Sequence, residues 1–191
     1  MPPISRAQAG DLLAIWLGKN SVDPSILKQI VTETGYRDSP WFGAEKKKVR
    51  LVGEIVMANS ALVICAVNQI FAGEDAKAII EAFLASARKS VFSLLEAKDK
   101  DFKRRYERRM SDYFEALHGE RPGVAVSFIF MTHLNIDPIK NGKGQVLAAA
   151  RFGQSLSNTL GVLRTFTLAA TGTDAIAQLR AMAGPSADRK A

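Results

Sequence analysis

The chain is predicted to be an all-α bundle of about seven to eight helices around a central apolar helix spanning about residues 44–72. Three observations carry that expectation. Leu51 to Phe71, LVGEIVMANSALVICAVNQIF, holds one carboxylate, Glu54, and no basic residue, so it reads as a helix apolar nearly all round. The segments on either side repeat apolar residues at helical spacing between recognisable start and stop signals. The one stretch whose composition suits a strand, Val124 to Leu134, has no convincing partner strand, and an unpaired buried strand would leave its backbone groups unsatisfied.

Ser5 and Gln8 form a capping box, and Leu12, Leu13, Trp16 and Leu17 follow on one face, which predicts a first helix over about residues 6–18. Asp23-Pro24 then reads as an N-cap and first-turn proline. Ile26, Leu27, Ile30 and Val31 give the second helix its apolar face, and Gly35 supplies a left-handed stop. Residues 36–40 connect to the central helix, which starts near Trp41 or Ala44. At 100° per residue, Glu54, Ala58, Ala61, Cys65 and Asn68 fall on one narrow stripe of that helix. The small members of the stripe predict a closely packed neighbour, and Glu54, Cys65 and Asn68 are its candidate ligand or pocket residues.

Gly73 ends the central helix, and Glu74 and Asp75 place negative charge where the next one begins. Ile79, Ile80, Phe83, Leu84, Ala87, Val91, Leu94 and Leu95 cover one arc of this fourth helix, which is expected antiparallel to the third. Asp99 would fall among apolar positions if the helix ran straight on, so a kink is expected near residues 98–101. The next helix, about Asp101 to His118, carries Phe102, Tyr106, Met110, Tyr113, Phe114 and Leu117 on its inner face. Arg121-Pro122-Gly123 separates it from the segment read as helix over 124–134. A polar loop over 135–144 leads to a helix reaching about Thr167, with Ala149, Phe152, Leu156, Leu160 and Leu163 inward and Gly153, Ser157 and Gly161 along another side. A final short helix holding Ile176, Leu179 and Met182 completes a single domain over 1–184, followed by a frayed tail over 185–191.

Length and apolarity alone would let Leu51 to Phe71 cross a membrane, with Lys46, Lys47, Lys48 and Arg50 as its flank. Glu54, Asn59, Asn68 and Gln69 oppose that reading, because each is unfavourable in hydrocarbon. The single Cys65 excludes a disulfide framework and a cysteine zinc site. The first residues lack the pattern of a secretory signal, so a cytoplasmic location is expected.

Few catalytic templates are present. Glu115 and His118 form one E-x-x-H unit, weak metal candidates, whereas di-iron bundles need two such units and two further carboxylates. Gly153 to Ser157 lacks the closing glycine of a nucleophile elbow, and there is neither a dinucleotide-binding glycine motif nor a phosphate loop. No cofactor is expected. With 26 basic and 19 acidic residues the net charge is +7. The basic side chains of helix 98–109, in particular Lys100, Arg104, Arg105, Arg108 and Arg109, are candidates for contacting an anion. Asp99, Asp101, Glu107 and Asp112 interleave with them, as on a solvated helix face with local ion pairs.

The leading expectation is a non-catalytic interaction protein or binder of a hydrophobic small molecule, working as a homodimer. Its ground is the scarcity of charge in the last three segments, whose apolar sides a second copy or a ligand would cover. The alternative is binding of nucleic acid or an anionic membrane surface through helix 98–109. A helical-bundle enzyme using Glu54 as acid or base, or a metal at Glu115 and His118, comes third.

Overall fold

In the computed structural model, residues 3–34, 36 and 44–169 are described, and they form an all-α bundle. The helices are α1 (Arg6–Val22), α2 (Pro24–Thr34), α3 (Ala44–Ile70), α4 (Gly73–Ala87), α5 (Ser93–Lys98), α6 (Phe102–Leu117), α7 (Pro122–His133) and α8 (Gly142–Arg164). A π-helical turn, Arg88–Phe92, joins α4 to α5. The expected stop at Gly35, the connection over 37–40, the final helix with Ile176, Leu179 and Met182 and the tail over 185–191 lie outside the described residues.

Helix α3 is the axis of the bundle, and α1, α4, α5, α6, α7 and α8 all pack on it. Among the described residues it is the one helix long and apolar enough to cross a membrane, and 83% of its most apolar window is buried inside the protein. Its buried Ser60 and Asn59 have internal partners, as burial requires. Ser60 Oγ donates to the Val56 carbonyl at 2.7 Å, and Asn59 Nδ2 donates to Ser21 Oγ at 3.1 Å. Ala58 and Ala61, from the small stripe, are fully buried, whereas Cys65 is half-buried and Asn68 is exposed.

Three boundaries differ from the sequence expectation. Helix α1 runs four residues past Gly18 to Val22, because its stop is Asp23, whose carboxylate accepts from the Ser25 N–H at 2.8 Å and so caps α2. Helix α8 begins at Gly142, where Asn141 Oδ1 accepts from the Gly144 N–H at 3.2 Å, and ends at Arg164. Helix α4 has α1, rather than α3, as its principal partner. The approach is close because Gly10 has no side chain: a Cβ there would lie 2.5 Å from Ala82 Cβ and from the Phe83 backbone nitrogen.

The expected break near residue 99 is present. Asp99 is extended at φ −146°, and its carboxylate receives the Arg105 guanidinium and, at 3.1 Å, the Asp101 N–H. Upstream of it, Ile79, Phe83, Ala87, Val91 and Leu95 are buried at four-residue spacing. Such a spacing drifts round a regular helix, and the wider π-turn takes up the drift. It also turns Phe92 inward and leaves Leu94 outside at 68% exposure, contrary to the inner-arc expectation for Leu94.

Gly73, at φ +56°, makes the turn after α3, and Asn135, at φ +59°, makes the one after α7. Helices α7 and α8 approach closely where Gly123 faces Gly153, a Cβ on Gly123 falling 3.2 Å from Gly153 Cα. Ser157 and Gly161, from the same expected row, are exposed. Beyond α8 the chain returns to its start: the Ile4 N–H donates to the Thr167 carbonyl at 2.9 Å, and Arg6 bridges Asp75 of α4 and the Ala169 carbonyl.

Candidate functional site

Among the described residues Glu54 is the most buried charge, fully enclosed on α3. One turn apart on α6, Arg109 and Tyr113 point to the same side and meet it. The Arg109 guanidinium donates to Glu54 Oε2, and the Tyr113 hydroxyl donates to Oε1 at 2.7 Å. His133, the last residue of α7, brings Nδ1 to 2.7 Å from the same Oε1 and Nε2 to 3.1 Å from Asp112 Oδ2. Arg50, one turn before Glu54, donates to the His133 carbonyl at 2.7 Å and fixes the end of α7.

His133 thus stands between two carboxyl groups, one ring nitrogen toward Glu54 and the other toward Asp112, while the Arg109 guanidinium supplies a fixed positive charge beside Glu54. Burial pushes the Tyr113 phenol well above its ordinary range, and the neighbouring Glu54 charge and the hydrogen bond to it act in the same direction. Each oxygen of Glu54 has a partner on another helix, so the cluster joins α3, α6 and α7.

Beside it lies a groove of about 730 Å³ in the hairpin between α6 and α7. Ala116, Val124, Ala125, Phe128 and Ile129 make its floor, and Asp112, Glu115, Glu120 and Arg121 stand around its rim with Gly119 at the turn. Small residues at 116, 119 and 125 keep the two helices from filling it. Val124 and Phe128 remain 45% and 43% exposed. Asp112 belongs to both places: it lines the groove and holds His133.

The other candidates from the sequence are dispersed. Glu54 and Asn68 are separated by fourteen residues of one helix, about 21 Å at 1.5 Å per residue. The three proposed pocket residues Glu54, Cys65 and Asn68 therefore do not share a cavity. Asn68 lines a separate cavity at the α3–α4 turn, and Cys65 receives the Gln69 amide at 3.3 Å. Burial raises the Cys65 thiol above its ordinary range. Of the anion candidates, Lys100, Arg104 and Arg108 are exposed, with Arg104 paired to Asp101 at 3.1 Å. Arg105 and Arg109 turn inward to Asp99 and Glu54. His118 Nδ1 lies 2.7 Å from the Phe114 carbonyl, and Glu115 is on the groove rim. Among the described residues no group of three or more His, Cys, Asp or Glu is arranged to hold a metal.

Sequence reading found Glu54 and missed its partners. Arg109 reads as part of a solvated basic face and Tyr113 as plain core, and nothing in the sequence marks His133 as their neighbour. The available signal was the Arg109/Tyr113 spacing of four on the inner side of α6. Compared with models of protein families, with curated proteins and with solved structures, the chain matches none.

Proposed function

We propose that this protein binds a hydrophobic small molecule in the α6–α7 groove and has no catalytic chemistry of its own. The observation that supports this is the groove floor, five apolar residues around about 730 Å³, two of them close to half exposed. Small-molecule sites typically enclose about 300–1,000 Å³ with mainly apolar lining and a few polar groups. The burial of Glu54 behind Arg109, Tyr113 and His133 argues against its use as acid or base.

A neutral fluorescent probe, N-phenyl-1-naphthylamine, tests this. Titration into the protein should give saturable, one-site enhancement, and Ala125→Trp, which fills the groove, should abolish it without lowering the melting temperature. Absence of enhancement in the unmodified protein, or its persistence in the Trp variant, would contradict the proposal.

A second copy covering the same exposed residues is the competing arrangement, and it makes a homodimer of the bundle. Binding of nucleic acid or an anionic membrane is supported less well, because two of its five candidate cations already neutralise internal carboxylates.

A further inference from the structure

We infer that the ligand of the α6–α7 groove is a cationic amphiphile, an apolar body carrying an ammonium or guanidinium head. The inference rests on the groove being a small-molecule site and adds the chemical class of its occupant. Three carboxylates, Asp112, Glu115 and Glu120, stand on a rim that has one cation, Arg121. The carboxylates of Glu115 and Glu120 have neither an ion-pair nor a hydrogen-bond partner among the described residues, although the chain as a whole carries seven more basic than acidic residues. Asp112 uses Oδ2 for His133, and no hydrogen bond occupies Oδ1.

Helix dipoles do not reverse this balance. The groove lies between the negative C-terminal end of α6 and the positive N-terminal end of α7, and these partial charges offset. The rim therefore has a net excess of negative charge, and the apolar floor beneath it reduces the screening a head group would meet in open water. An anionic head would face like charge at Glu115 and Glu120. A neutral one would leave both carboxylates as they are.

The test is displacement of bound N-phenyl-1-naphthylamine by three molecules with one chain length: decyltrimethylammonium, 1-decanol and decyl sulfate, all below their micelle concentrations. The cation should displace the probe at about fivefold lower concentration than the alcohol, the scale of one or two partly exposed ion pairs. That advantage should vanish at high salt and in the Glu115→Gln/Glu120→Gln double variant, whose exposed positions leave folding unaffected. Equal displacement by all three, or preference for the sulfate, would overturn the charge assignment while leaving the apolar groove in place. Failure of the probe itself to bind would overturn the groove reading and this inference with it.

Discussion

Glu54 touches side chains from α6 and α7 that are far from it in sequence, which makes it the residue whose removal the fold should feel most. Glu54→Gln leaves the mostly buried Arg109 guanidinium without its counter-charge, and breaking such a pair costs about 3–5 kcal/mol. Urea unfolding would measure it, and Arg109→Met added to Glu54→Leu should return part of the loss. Titration gives a second check at this scale. The hydrogen bond from Arg105 holds the Asp99 carboxyl below its ordinary range against the opposing effect of burial. A depressed folded value means that its stabilisation is complete above the free carboxylate range and is lost as pH falls through and below it. Asp99→Asn should therefore flatten the acid limb of a stability-against-pH curve and leave the neutral plateau lower. Tyr113 runs the opposite way: its raised value gives stabilisation that is complete below the free phenol value and disappears as pH rises beyond it. One carboxylate inside an apolar run is visible in a single sequence. Which of five neighbouring arginines and lysines answers it is not, because that depends on how α6 is rotated against α3.

Helices were the most legible level. The capping box at Ser5 and Gln8 is formed, the apolar run of α3 is the core, and the break near Asp99 occurs for the reason its place in the pattern implied. Helix pairing was not legible, since α4 could have laid its apolar arc on α3 or on α1, and what selects α1 is the missing side chain at Gly10. Two glycines of that helix make opposite predictions. Gly10→Ala puts a Cβ into the α4 backbone and should destabilise by about 1–3 kcal/mol, the usual range for overpacking. Gly18→Ala meets nothing within 4 Å and should stabilise by about 0.5–1 kcal/mol through helix propensity alone. Melting curves of the two variants compare them directly, and equal shifts would show that α1 and α4 are not in contact at Gly10. Ala61→Leu, on the fully buried small stripe of α3, should cost about as much as Gly10→Ala.

At the scale of the whole molecule, α3 has the length of a membrane span and lies inside its own bundle, so the protein should remain in solution without detergent. Quantitative recovery in the alkali-resistant membrane fraction would contradict that. Of the apolar side chains left exposed at the C-terminal side of the described sequence, Val124 and Phe128 line the α6–α7 groove, whereas Ile139, Val146, Leu147 and Val162 lie outside it. Composition could indicate such a surplus but not where it would collect, since the concavity arises only when α6 and α7 cross with alanine and glycine between them. The most direct measurement is an amide and methyl chemical-shift map of the labelled protein titrated with N-phenyl-1-naphthylamine. Perturbations should centre on Ala116, Ala125, Phe128 and Ile129, fade along α3 and be absent from the α3–α4 turn. Shifts centred on that turn or on the exposed basic face of α6, or no shifts at all, would contradict binding in the groove.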